Sequence, residues 1–195
     1  MTVQQSGSKL RKLGAGLGIF QSLTWIVLSM ICIILYYSPH LSTLSDSYME
    51  TIGKLIYAMF LYTSQEVFPN QTFSGNVFNA FMWLYILLDL VWLVACIYLL
   101  CKNTLKAAKV WSYCTLIISF LDFITFVILG ADYNKCMDYA QDFSLIGETY
   151  VLAIQQACAN SILPPFIIAA KGFTLWVFNI GIAVAVILDT KSWQR

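Results

Sequence analysis

Charge is what this sequence lacks most. Only 11% of its 195 residues are Asp, Glu, Lys or Arg, whereas a soluble domain carries about 25%. Apolar residues make up 59% of the chain, and its mean hydropathy is +0.74. This composition excludes an ordinary soluble domain and indicates a membrane protein. The net charge of +1, without a basic cluster, also argues against a nucleic-acid partner and leaves the lipid bilayer as the expected partner.

Residues that carry enzyme chemistry are scarce as well. His40 is the only histidine, so a histidine-based metal site is not expected. The chain contains no GxSxG, HExxH or CxxC motif and no glycine-rich phosphate loop. We therefore expect no catalytic residues, no metal and no cofactor, and we interpret the chain as a non-enzyme.

Long apolar runs are what the chain does have. Each of four runs is long enough to cross a bilayer as a helix, and they cover about residues 17–37, 80–101, 110–130 and 166–188. The first run is too long for a signal peptide and ends in Tyr36 and Tyr37, which suit the membrane interface. The sequence thus predicts an all-α membrane protein, a single four-transmembrane-helix bundle over residues 1–195.

The distribution of lysine and arginine predicts the orientation of the bundle. Eight basic residues lie in the N-terminal segment, the short connection 102–109 and the tail, against two in the longer loops 38–79 and 131–165. Because short cytoplasmic segments are enriched in Lys and Arg, we expect both termini in the cytoplasm and both longer loops outside. The eight residues are Lys9, Arg11, Lys12, Lys102, Lys106, Lys109, Lys191 and Arg195.

Each of the two outside loops is predicted to contain a short helix. In the first loop, a capping-box pattern at Ser47–Glu50 precedes apolar residues at helical spacing up to Phe60. This amphipathic helix is expected to lie on the bilayer or cap the bundle, and a fifth span is the less favoured alternative. In the second loop, residues 144–159 are predicted to be helical.

Small and polar residues form stripes along three of the predicted spans. Steps of three and four residues keep the members of each stripe on one helix face, and such residues favour contacts between helices in membranes. We therefore expect the stripes to face the interior of the bundle. They comprise Gly18, Ser22, Trp25, Ser29, Cys32 and Tyr36; Tyr85, Asp89, Trp92 and Cys96; and Ser112, Thr115, Ser119 and Asp122.

Three charged residues fall inside the apolar runs. Asp89 and Asp122 lie in the second and third runs, and Lys171 lies near the start of the fourth. Because an unpaired charge in lipid is costly, the sequence predicts an intramembrane charge network of these three residues. Two alternatives stay open: Lys171 reaches the headgroups alone, or the two aspartates form a proton or cation site of a small transporter or channel subunit.

Two covalent features are predicted for the outside loops. Cys136 and Cys158 are the only cysteines away from the spans, and in an oxidising compartment we expect them to form a disulfide rather than two free thiols. Asn70-Gln71-Thr72 is the only N-glycosylation motif, and the predicted orientation puts it outside. A chance occurrence of this short motif is the alternative to a glycosylated Asn70.

The four-span plan is shared by claudins, tetraspanins and related families. The first loop lacks the tryptophans and cysteines of claudins, and the second lacks the Cys-Cys-Gly of tetraspanins. The segment Lys171-Gly172-Phe173-Thr174-Leu175-Trp176-Val177-Phe178-Asn179, however, resembles the opening of the fourth span in small insect tetraspans of the Pasiflora-like group. The single acid in each of the second and third spans also fits that group.

This resemblance implies a function at cell contacts. It suggests a non-enzymatic plasma-membrane protein at lateral cell junctions, acting in septate junction assembly and epithelial barrier formation. Other junctional membrane proteins would be its partners, and a homo-oligomer is compatible with the pattern.

Overall fold

The computed structural model describes residues 3–37, 60–61, 68–145, 147–169 and 174–192. These residues form helices and turns, with no strand among them. We number the α-helices in chain order: α1 Val3–Tyr37, α2 Gly75–Lys102, α3 Leu105–Gln141, α4 Glu148–Ala169 and α5 Thr174–Ser192. A 3-10 helix, Asp142–Leu145, follows α3.

Among the described residues, four helical segments are long and apolar enough to cross a membrane. They are Lys9–Tyr37, Gly75–Lys102, Leu105–Leu145 and Glu148–Asp189. The described residues of the last one are α4 and α5 as far as Asp189. Their length and composition agree with the predicted all-helical, multi-pass class. The exact membrane limits stay predictions, since a helix can extend beyond the lipid at either end.

Helix α3 is longer than the run from which it was predicted. It continues past Gly130 to Gln141, so residues 131–141 belong to a long helix instead of an irregular loop. Residues 131–141 contain neither glycine nor proline that would break the helix. Gly130 itself serves close packing, because a Cβ there would lie 3.2 Å from the ring of Phe166 in α4.

The rest of the second predicted loop is also largely helical. In place of the separate short helix expected at residues 144–159, the structure has the 22-residue helix α4, which begins at Glu148 and continues to Ala169 through Pro164 and Pro165. The amphipathic helix predicted in the first loop lies outside the described residues except for Phe60. Lys171 lies outside them as well.

The chain groups into two compact units, each with its own core. The first unit contains residues 1–29, 84–122 and 171–195, and the second contains residues 30–83 and 123–170. In the first unit, Trp92 and Trp111 are the largest fully or almost fully buried side chains. They pack with Ala15 of α1, Leu99 of α2 and Val186 of α5, so residues from four helices share this core.

Most residues of the predicted stripes are buried. Ten of them, on α1, α2 and α3, are no more than 6% exposed, whereas Trp25, Cys32 and Tyr36 of α1 are only partly buried. Leu87, Val94 and Phe120, on other faces, are 60%, 65% and 65% exposed, as suits contact with lipid. The ten residues are Ser22, Ser29, Tyr85, Asp89, Trp92, Cys96, Ser112, Thr115, Ser119 and Asp122.

Aromatic residues dominate the core of the second unit. Phe73, just before α2, is fully buried and lies edge-on to Phe78 and Phe81, with ring centroids 5.9 Å and 4.9 Å apart. Phe60 packs on Phe78 at 5.3 Å. Edge-to-face contacts of this kind each add about 0.5–1.5 kcal/mol beyond burial of area.

Glycines on α1 offer a test of the packing in the first unit. A Cβ on Gly14 would lie 2.7 Å from the buried indole of Trp111 and 2.9 Å from Ile182. We expect Gly14→Ala to destabilise the protein by about 1–3 kcal/mol, as overpacking does, and to lower its melting temperature in detergent. Gly16→Ala is the matched control, because a Cβ there meets nothing within 4 Å. Equal melting of the two variants would contradict the described packing.

Candidate functional site

A disulfide joins α3 and α4, the two helices on either side of the 3-10 helix. Cys136 of α3 and Cys158 of α4 are bonded, with their Cα atoms 5.9 Å apart, and both residues are almost fully buried. The predicted pair is thus the bonded pair. In the chain-entropy account, closing a loop of this length adds roughly 3 kcal/mol to the free energy of unfolding. The bond joins α3 to α4 at the base of the α3–α4 hairpin.

One turn before Cys136, Asp132 binds backbone on a distant part of the chain. The N–H groups of Thr72 and Phe73 donate to its carboxylate at 2.9 Å and 2.7 Å. The Asp132 side chain is 1% exposed, so a buried charge is held by two backbone donors. Hydrogen bonds of this charge-assisted kind are about twice as strong as neutral ones.

Lys135 completes the contact on its exposed side. Its ammonium donates to the carbonyl of Asn70 and to the hydroxyl of Thr72, each at 2.8 Å, and lies 3.4 Å from Asp132. We call Asp132, Lys135 and the segment Asn70–Phe73 the Asp132 clamp. The clamp fastens the residues that precede α2 to the side of α3, beside the disulfide.

The predicted glycosylation motif lies within this clamp. Asn70 is exposed and has a φ of 61°, in the left-handed region that asparagine adopts more readily than most residues. The backbone of Thr72 binds Asp132, and its hydroxyl binds Lys135. Glycosylation of Asn70 stays a prediction.

The two aspartates that are predicted to lie within the membrane are buried in the first unit. Asp89 and Asp122 are 0% and 2% exposed. The hydroxyl of Tyr85 donates to Asp122 at 3.1 Å, a contact between α2 and α3. The third member of the predicted network, Lys171, is not among the described residues, so their pairing stays a prediction.

Uncharged polar side chains also join helices within the first unit. Gln21 of α1 and Asn179 of α5 exchange two hydrogen bonds, at 2.8 Å and 3.2 Å, and both are buried. The indole N–H of Trp92 donates to Thr115, and that of Trp176 donates to the carbonyl of Ser119.

Helices α1 and α5 also form an ion pair with each other. Arg11 lies 3.4 Å from Asp189, with side chains 8% and 18% exposed. Because both residues flank the apolar runs, this pair closes the bundle at the end predicted to be cytoplasmic.

Sequence reasoning missed several of these contacts. Asn179 is part of the segment that carries the family resemblance, but the sequence shows no partner for it. Asp132 could have been noticed as an acid one turn before a predicted disulfide cysteine. Its backbone partners, about 60 residues earlier, leave no periodic signal.

The described residues contain no group of three or more His, Cys, Asp or Glu that could hold a metal ion.

In comparisons with known proteins, no family model matched the chain, and neither a curated protein nor a solved structure was found to be similar. Support for a function therefore comes from this geometry and from the sequence resemblance of residues 171–179.

The Asp132 clamp can be tested by removing its acceptor. We expect Asp132→Ala to cost about 1–3 kcal/mol, because the buried N–H of Phe73 loses its acceptor. The melting temperature in detergent should fall, and amide exchange at Thr72 and Phe73 should accelerate. Lys135→Met, which alters a side chain that is 38% exposed, should have a smaller effect. A parent-like melting temperature and exchange rate for Asp132→Ala would show that the clamp does not hold this segment.

Proposed function

We propose that the chain is a non-enzymatic integral membrane protein that organises cell contacts or a membrane complex through its outer end. The observation that carries this proposal is that two separate contacts hold the chain segments of that end together. A disulfide and the Asp132 clamp lie four residues apart on α3, in the second unit. Structural disulfides persist in oxidising compartments, which supports an extracellular position for the α3–α4 hairpin and cytoplasmic termini.

A fastened outer end suits a protein that presents a surface to another protein. Restricting the hairpin before binding lowers the conformational entropy lost on association. The resemblance of the segment 171–179 to Pasiflora-like tetraspans narrows the proposal to septate junction assembly and barrier formation at the lateral plasma membrane. Other junctional membrane proteins are the proposed partners at this end.

Loss of the protein should weaken an epithelial barrier. Depletion in an epithelium that expresses the chain is expected to raise the passage of a fluorescent dextran between cells and to disorder the junctions. Re-expression of the full chain should restore both, since the defect would follow from this protein alone. Junctions that stay ordered and impermeable after depletion would contradict the junctional role.

The two buried aspartates favour a second candidate, a small transporter or channel subunit. Buried carboxylates in spans are typical of ion and proton pathways, and both residues are almost inaccessible to solvent. Ion flux in proteoliposomes that Asp89→Asn abolishes would support this candidate. Flux that does not exceed the level of empty liposomes would leave the structural role as the better account.

A further inference from the structure

Large apolar side chains are exposed on both sides of the connection between α3 and α4. Leu145, at the end of the 3-10 helix, is 98% exposed, and Tyr150 and Leu152, near the start of α4, are 60% and 64% exposed. We call residues 138–145 and 147–152 the hairpin tip. Scattered apolar side chains on a surface need no explanation, but a group of them at one end of a hairpin suits an interaction site.

Lipid does not account for this exposure. The charge-free stretch of the second unit on α3 ends at Ala131, and Asp132, Lys135 and Asp138 follow. Gln141, at the end of α3, lies ten residues beyond Ala131 on one continuous helix, about 15 Å at helical rise. The headgroup layer on one side of a bilayer is roughly 5–8 Å thick, so a helix with an ordinary tilt of about 20° carries the tip beyond it.

The hairpin tip is also acidic. Asp138, Asp142 and Glu148 are all exposed. Residues 136–170 contain no lysine or arginine, so no basic side chain in this stretch balances them.

The tip is fastened at its base and packed within. The disulfide between Cys136 and Cys158 encloses it. Tyr139 and Phe143 lie edge-to-face with ring centroids 5.1 Å apart, which joins the end of α3 to the 3-10 helix. The exposed leucines therefore stand on a restricted scaffold.

We propose that the hairpin tip docks into an apolar pocket rimmed by Lys or Arg on an extracellular protein of another kind. Charge complementarity selects this occupant: a second copy would bring two acidic tips together, and anionic lipid headgroups would repel the tip. Leu145 and Leu152 supply the apolar contact, and Asp142 and Glu148 face the basic rim. This inference rests on the proposed function and names the chemistry of its partner.

Beads that carry the full-length chain in nanodiscs provide the test. They are applied to intact cells of an epithelium that expresses the chain, and bound beads are counted against beads with empty nanodiscs. We expect the double variant Leu145→Ser with Leu152→Ser to bind about tenfold less, since it loses the apolar contact. Ala153→Ser, an exposed position just outside the tip, is the control and should bind like the parent.

Charge is tested by a matched pair of double variants. Asp142→Lys with Glu148→Lys should reduce binding several-fold, and Asp142→Glu with Glu148→Asp, which keeps both charges, should not. Binding of the parent should also fall several-fold as salt rises from about 50 to 300 mM. Surface expression and disulfide formation, measured for each variant, show that folding is unchanged.

Five results would overturn the inference. Three concern binding to cells: binding no better than that of empty nanodiscs, equal binding of the parent and the leucine variant, and undiminished binding to cells whose surface proteins have been removed with trypsin. The last two are clumping of the beads with one another and binding of the beads to protein-free phosphatidylcholine vesicles. The last two would identify a second copy or lipid as the occupant.

The two proposals can fail separately. If depletion opens the barrier and the charge-reversed variant restores it fully, the junctional role stands and the docking inference is wrong. If depletion leaves the barrier intact while beads bind in the charge-dependent way described, the docking stands and the junctional role is wrong.

Discussion

Polar groups inside a lipid-solvated bundle must find their partners within the protein, and this constraint shapes the first unit. Gln21 and Asn179 satisfy each other, Tyr85 donates to Asp122, and Trp92 donates to Thr115. Hydrogen bonds between membrane helices average only about 0.6 kcal/mol each. They therefore select which helix faces meet, while the packing of large residues such as Trp111 against Gly14 supplies the close fit.

The second unit meets a different requirement. Its aromatic core adjoins polar segments that hydrophobic burial alone would not hold in place. A disulfide bond and a buried carboxylate hold these segments instead. Asp132 satisfies two backbone donors of the residues that lead into α2, and Cys136 ties the same helix to α4. The α3–α4 hairpin and the start of α2 consequently belong to one fastened structure, which is the physical basis for treating this end as a surface for binding.

Much of this architecture follows from residue patterns. Apolar runs of bilayer length predicted four helices, and steps of three and four residues predicted that Trp92, Ser119 and Asp122 would be buried. The pairing of Cys136 with Cys158 followed from their position away from the spans. These features were accessible because each one depends on local periodicity or on a small number of candidates.

Other features depend on contacts between distant residues and could not be predicted. The sequence pattern predicts that a span ends at Gly130. In the structure the helix continues to Gln141, and the absence of a side chain at Gly130 leaves room for Phe166 of α4. The partners of Asp132 are backbone amides, which every residue but proline possesses, so no residue type marks them. Asn179 pairs with Gln21, 158 positions earlier, and only the fold brings the two together.

The central claim is that the disulfide-tied, acidic end of the second unit faces the outside of the cell. A membrane-impermeant maleimide tests it most directly, with Leu145→Cys as the reporter on the hairpin tip and the exposed native Cys101 as the reporter at the end of α2. The account predicts that intact cells label at position 145, and that Cys101 labels only after the membrane is permeabilised. Labelling of Cys101 in intact cells, with position 145 protected until permeabilisation, would contradict it.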